Sequence, residues 1–294
     1  MEGGGKTKVV YIMGTGRSGS TILGITLGNC PDLFYAGELH LWIGKGGKAP
    51  LGGEHRQRFW EAVRAGVNAD LSGPEARSLE RSTSVIRLGG RRARAELRRR
   101  YRRLAEQLFA SIAQEARSAY VVDSSHFPRR ARELQQVPSI ELYLLFLVRD
   151  PQGIVSSYSG DDAVFPGFNL LTTNLYIWLT YLLSTLVFLR HPRARRLLVS
   201  YDAFAASPEG VLKEILACIG SPATMPPDLQ KLQTGLMFQG NPVAKSDVVA
   251  FRASAAGPRS RSLLTTVLQL PWTAAFSMIR PASRSSRAPD GGAA

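Results

Sequence analysis

The chain has 294 residues, 44% of them hydrophobic, with a formal net charge of +14 and a pI of about 10.3. This suits one large α/β domain, or one domain with small additions, around a sizeable core. Its two isolated cysteines, Cys30 and Cys218, exclude a disulfide framework and zinc-ligand spacing, so a reducing compartment is the default. Thirty of the 37 basic residues are arginine, a skew that fits either codon bias or anionic partners such as a nucleotide, an acidic substrate, nucleic acid or a membrane surface.

The N-terminal MEGGGKTK leads into an apolar run, Val9 to Met13, too short for a signal peptide, and then into GTGRSGST at Gly14 to Thr21. A helical pattern follows, with Ile22, Leu23, Ile25 and Leu27 among small residues, ended near Asn29 by Cys30-Pro31. Strand, glycine-rich turn and helix in that order make a phosphate site: the glycines let the backbone curl, and the first-turn N–H groups point at the anion. Arg17 adds a charged planar fork, and Ser18, Ser20 and Thr21 add hydroxyl donors.

Three site types fit this stretch. Gly14, Gly16 and Gly19 match G-x-G-x-x-G, with Glu38 about where a ribose-binding acid belongs, although no strand is evident before it. Gly14 and Gly19 match the frame of a Walker A loop, but Ser20 stands where the lysine for the β/γ-phosphates belongs. The third type is a loop for a 5′-phosphosulfate, which needs donors and one cation but no lysine at position 20.

Ala36 to Gly53, with Glu38, His40 and Trp42, reads as a loop region facing the site. His55 to Arg103 reads as polar and helical, with breaks at Gly73-Pro74 and Gly89-Gly90. Arg87 to Arg103 holds nine arginines, yet Leu97, Tyr101, Leu104 and Leu108 keep helical spacing, which predicts an amphipathic helix with a solvated basic face. Without interleaved aromatic residues, this run does not point to nucleic acid. Tyr120 to Ser125, Glu141 to Val148 and Leu197 to Tyr201 read as strands. Leu170 to Leu189 has the length of a membrane span, but Thr172, Thr173, Asn174, Thr180, Ser184 and Thr185 interrupt it, so a buried core helix is expected. Pro208 to Gly220 is an amphipathic helix with a glycine stop. Leu263 to Ile279 is apolar, interrupted by Pro271 and flanked by arginines, suited to docking on the core or lying on an anionic membrane surface. Ser283 to Ala294 is expected to be disordered. The alternation of strands and helices predicts a mostly parallel central sheet with helices on both faces. The expected division is an α/β domain over 1–260 and an apolar C-terminal segment with its tail over 261–294.

A second anion site is expected at RDPQGIVSS. Arg149 ends a buried strand, and Ser157 lies eight residues on, two turns into the next helix, where its hydroxyl can return beside the guanidinium. With these two motifs in place, the chain resembles the sulfotransferases that use 3′-phosphoadenosine 5′-phosphosulfate (PAPS), especially the bacterial branch, over roughly half its length. The resemblance implies a P-loop-like α/β fold and in-line sulfuryl transfer to a hydroxyl or amine without a metal. By resemblance, Gly16, Arg17, Ser18, Gly19, Ser20 and Thr21 hold the 5′-phosphosulfate, and Arg149 and Ser157 hold the 3′-phosphate. Tyr201 falls near the adenine, and Asn241 and Arg252 belong to a late loop covering the cofactor. Arg17 and His126 are expected to stabilise charge on the bridging oxygen.

For the base, Gly37-Glu38 resembles the G-E pair of protein-tyrosine sulfotransferases, and S-H-F-P at His126 resembles the T-H-L-P stretch of cytosolic sulfotransferases. Glu38 is preferred, provided burial raises its pKa. The rival reading is a nucleotide kinase-like or other NTP-binding enzyme. Expected partners are a small-molecule, carbohydrate, lipid or protein-tyrosine acceptor and no nucleic acid. The expected location is cytoplasmic, with peripheral contact at the inner membrane surface through the C-terminal segment.

Overall fold

A computed structural model of the chain describes residues 5–50, 53–71, 77, 79, 91–158, 169–239, 246–251 and 262–279. Five parallel strands form the central sheet: β1 (Thr7–Gly14), β2 (Leu33–Gly37), β3 (Tyr120–His126), β4 (Ile140–Val148) and β5 (Arg196–Ser200), in the order β2-β3-β1-β4-β5. β1 lies in the middle, hydrogen-bonded to β3 and β4, and this is why VVYIM is apolar without alternation. Its Val9, Tyr11 and Met13 enter one core and Val10 and Ile12 the other, as the two-residue period of a strand requires.

The first core is covered by α2 (Leu39–Gly44), α3 (Glu54–Ala65), α4 (Arg91–Ala116), α5 (Pro128–Leu134), α6 (Pro151–Tyr158), α7 (Leu170–Arg190) and α10 (Leu263–Ile279). The second is covered by α1 (Ser20–Gly28), α8 (Tyr201–Ala206) and α9 (Pro208–Ile219). A two-stranded antiparallel ribbon, β6 (Leu232–Gln233) with β7 (Val248–Val249), and a short 3-10 turn, Arg193–Arg195, complete the described elements.

Four expectations need correction. Leu33–Gly37, read as a strandless approach to a loop, is the edge strand β2. Its five residues are too few for a periodic signal, and pairing with β3 defines it. The supposed loop after it contains the helix α2. Pro271 sits inside one continuous helix, Leu263–Ile279, because Trp272 and Phe276 pack on Tyr181 and offset the lost backbone bond. Finally, α7 is buried along one stripe only: Ile177, Tyr181 and Phe188 face the core, while Leu175, Leu179 and Leu189 are exposed.

The arginine-rich helix α4 behaves as patterned. Tyr101, Leu104 and Leu108 are buried, and Arg99 and Arg102 pair with Glu96 and Glu133. The breaks at 73–74 and 89–90 and the tail 283–294 lie outside the described residues.

Candidate active site

The loop between β1 and α1 is shaped by two left-handed residues, Arg17 (φ 63°) and Gly19 (φ 92°). For a non-glycine residue such as Arg17 this costs about 1 kcal/mol, and turns with successive residues of this kind are the ones whose backbone N–H groups can form an anion-binding concavity. All three glycines are sterically required. A Cβ on Gly14 would lie 2.4 Å from the Leu147 carbonyl oxygen, one on Gly16 2.5 Å from the Tyr158 hydroxyl, and one on Gly19 2.3 Å from the Tyr201 ring. Ser18 Oγ is buried and has no hydrogen-bond partner among the described residues. The Gly16 N–H donates to the Tyr176 hydroxyl at 2.9 Å.

Arg149 follows the end of β4. Its Nη1 donates to the Arg17 carbonyl oxygen at 2.8 Å, and its guanidinium lies 4.6 Å from the centre of the Tyr201 ring. Its backbone is clamped as well, since Tyr181 Oη donates to the Arg149 carbonyl at 2.9 Å. Tyr201, at the start of α8, therefore lies against both Gly19 and Arg149 and links the two motifs. Ser157 is half-buried near the end of α6, and no direct hydrogen bond joins it to Arg149. Asn241 and Arg252 lie outside the described residues. The residue before that loop, Gln239, accepts a hydrogen bond from the Glu38 N–H at 2.9 Å, and a Cβ on Gly37 (φ 83°) would meet the same carbonyl oxygen at 2.5 Å.

Glu38 stands just past β2, with its Oε2 3.9 Å from His40 Nε2. Burial raises its pKa from 4.5 to about 7; Asp123 pushes the same way and Arg17 opposes. His126, at the end of β3, is half-buried, and its loss of water lowers its pKa from 6.5 to about 4 against a hydrogen bond to the Ser124 backbone. His40, edge-on to His126 with ring centres 5.7 Å apart, is lowered as well, first by burial and then by His126 and Arg130.

Beneath this rim lies a buried ion pair, Asp123 with Arg130, at 3.2 Å. Asp123 Oδ1 accepts from both the Ser125 N–H at 2.8 Å and the Ser125 hydroxyl at 2.5 Å, while Ser125 Oγ accepts from the His40 N–H at 3.1 Å. The pair thus holds the β3–α5 turn, where His126 adopts φ 51°. Sequence reasoning assigned no role to this pair, to His40, or to Tyr158, Tyr176 and Tyr181. The one signal available was polar tips recurring at 176 and 181 within the apolar run of α7.

Residues 10–225, well over half the chain, match the sulfotransferase family. The chain belongs to that family. Two solved structures share the fold. The sulfotransferase domain of the olefin synthase from Synechococcus PCC 7002 aligns at 19% identity with a TM-score of 0.53, covering 96% of this chain and 98% of that one. The sulfotransferase domain from the curacin biosynthetic pathway aligns at 15% identity with a TM-score of 0.55, covering 92% and 99%. No curated protein sequence matches. This sulfotransferase chain therefore has the P-loop-like α/β fold expected from its motifs, with both anion motifs and both candidate bases at the carboxyl ends of parallel strands.

Proposed function

We propose that the protein uses PAPS as sulfuryl donor and transfers the group to a hydroxyl or amine acceptor, with Glu38 as general base. One observation carries this reading: an anion cradle and a carboxyl with a pKa of about 7 share one rim, close enough for Arg17 to act on Glu38. The residues present fit the donor. The left-handed loop leaves N–H groups and the buried Ser18 hydroxyl for an anion's oxygens. No lysine stands at position 20, which disfavours a triphosphate. When bound, PAPS supplies an activated sulfuryl group and leaves as 3′,5′-adenosine bisphosphate.

The chain's own residues then divide the work. The N–H groups at the start of α1, with Arg17, Ser18, Ser20 and Thr21, hold the phosphosulfate end. Arg149 and Ser157 take the 3′-phosphate, Tyr201 flanks the adenine side, and the loop with Asn241 and Arg252 covers the donor. Glu38 Oε accepts the proton from the acceptor oxygen or nitrogen, a role for which a pKa near 7 is well placed. Arg17 offsets the negative charge that grows toward the leaving phosphate. His126, with a pKa of about 4, is neutral at pH 7. With one N–H given to the Ser124 carbonyl, its other nitrogen accepts a hydrogen bond, so it orients the acceptor instead of stabilising negative charge.

The test is thermal unfolding with 3′,5′-adenosine bisphosphate, ATP or NAD. Selective stabilisation by the bisphosphate is expected, about 2.7 kcal/mol at a hundredfold excess over Kd. Equal stabilisation by all three, or none by the bisphosphate, overturns the reading.

A further inference from the structure

While Tyr176 and Tyr181 on the inner face of α7 touch Gly16 and Arg149, the outward face of α7 and α10 points away from them. On α7, Leu175, Leu179, Leu182, Leu186 and Leu189 recur at four- and three-residue steps, so they share one helical stripe, and they are 38% to 60% exposed. α10 adds Leu263, Val267 and Leu270, each more than 60% exposed. The two helices are locked side by side. Trp178 Nε1 donates to the Leu268 carbonyl at 3.0 Å, Gln269 Nε2 donates to the Asn174 carbonyl at 3.0 Å, and Trp178 packs edge-on to Trp272. Their outward leucines therefore form one continuous apolar surface, of the kind that marks a docking site.

The surrounding charge indicates what docks there. Neither helix contains an acidic residue. Residues 251–289 carry six arginines and no acid, with Arg252, Arg259 and Arg261 before α10 and Arg280, Arg284 and Arg287 after it. At the carboxyl end of α7, a cavity of about 350 Å³ is lined by Val187, Arg190 and His191 together with Arg132, Gln135 and Arg195. His191 is already engaged, with Gln135 and the Leu142 carbonyl as its partners, and burial lowers its pKa, so the cavity's charge comes from the arginines. The acid beside them is Glu141, 3.7 Å from Arg195. A second copy of this chain would bring another +14 against the same arginines. An anionic bilayer reverses that sign. α7 is the one helix among the described residues long and apolar enough to cross a membrane, but Ile177, Tyr181 and Phe188 pack its inner stripe on the core, which leaves only its outer stripe for contact with lipid.

We propose that the α7/α10 surface docks on an anionic lipid bilayer, its leucines entering the acyl boundary and the arginine-lined cavity at the end of α7 taking a phosphate headgroup. Apolar burial and attraction to anionic lipid then act together.

The test is co-sedimentation of the full chain with vesicles of phosphatidylcholine alone or mixed with phosphatidylglycerol. Strong binding to the mixed vesicles and weak binding to the neutral ones is expected, with release as salt rises and the Debye length shortens. Arg132→Glu with Arg190→Glu is expected to weaken mixed-vesicle binding at least 25-fold, from about fivefold per arginine. Leu179→Asp with Leu182→Asp is expected to abolish it. Both positions in the second variant are exposed, and circular dichroism with the unfolding midpoint confirms that each variant folds. Equal binding to neutral and mixed vesicles overturns the headgroup site. Absence of vesicle binding, or a solution dimer that the leucine variant converts to monomer, overturns the proposal as a whole. These outcomes do not depend on which nucleotide the donor site takes.

Discussion

Strands β2 and β3 are neighbours, and each ends in a candidate base on the same rim, yet burial moves the two in opposite directions. Loss of water penalises whichever form is charged. It raises the Glu38 carboxyl to about 7 and lowers the His126 imidazole to about 4. By ordinary pKa alone histidine is the better base, because its value is already near neutral. Burial favours Glu38 instead, the residue the Gly37-Glu38 pair already pointed to. Loss of water around an acid and a base thus yields one group that titrates at neutrality and one that stays neutral there.

The largest expected effect breaks that comparison directly. Glu38→Gln lowers turnover by about two to four orders of magnitude while bisphosphate affinity stays near wild type. A near-normal rate in this variant, with His126→Ala inactive but still binding the bisphosphate, exchanges the two roles.

Next comes the cradle that both candidates face. Arg149→Ala weakens 3′,5′-adenosine bisphosphate binding about 10- to 100-fold, the range for a hydrogen bond to a charged group. Because Arg149 also braces the Arg17 carbonyl, adenosine 5′-phosphate loses affinity too, but less. Equal losses for the two ligands in a titration would sink the 3′-phosphate assignment.

The pH dependence sharpens the comparison further. Wild-type turnover rises through about pH 7 as Glu38 loses its proton, and Glu38→Gln flattens that limb. The stability signs follow from linkage. Glu38 has a folded pKa above its ordinary 4.5, so its favourable contribution is complete below pH 4.5 and lost as pH rises through about 7. Glu38→Gln should therefore unfold at a higher temperature than wild type at pH 8 and at about the same temperature at pH 4. His126 is the mirror image: its contribution is present above its ordinary 6.5 and lost as pH falls through about 4. The smallest effect expected is that of His126→Gln, whose melting curve should part from wild type only below pH 6.5, with the variant the more stable. A difference between the two at pH 8 would mean that His126 has another structural role there.

Much of the fold and part of the site are legible in the chain. β1 and β4 are long buried strands whose apolar runs announce a parallel sheet, and the three glycines of GTGRSGST announce a tight turn with no room for side chains at those positions. β2 is not legible, because an edge strand of five residues carries no period and is defined by hydrogen bonds to β3. The Asp123–Arg130 pair is equally hidden. A buried arginine looks like any other in a chain with thirty, and it is fixed by a carboxylate seven residues earlier across the β3–α5 turn.

By itself, the sequence determined the strands β1, β3, β4 and β5 with most of the helices, the glycine-rich turn at Gly14–Thr21, the placing of a cation at Arg17 and Arg149, and the resemblance to sulfotransferases. These rest on local chemistry: steric limits at glycine, apolar period and residue type at short spacing. Only the tertiary structure decided that Tyr201 lies against both Gly19 and Arg149, that Arg149 braces the first loop, that α7 keeps one leucine stripe uncovered, and that burial moves the Glu38 carboxyl to about 7. Each of these depends on which side chains meet across the sheet and how much water they exclude, and neither is encoded in any one stretch of chain.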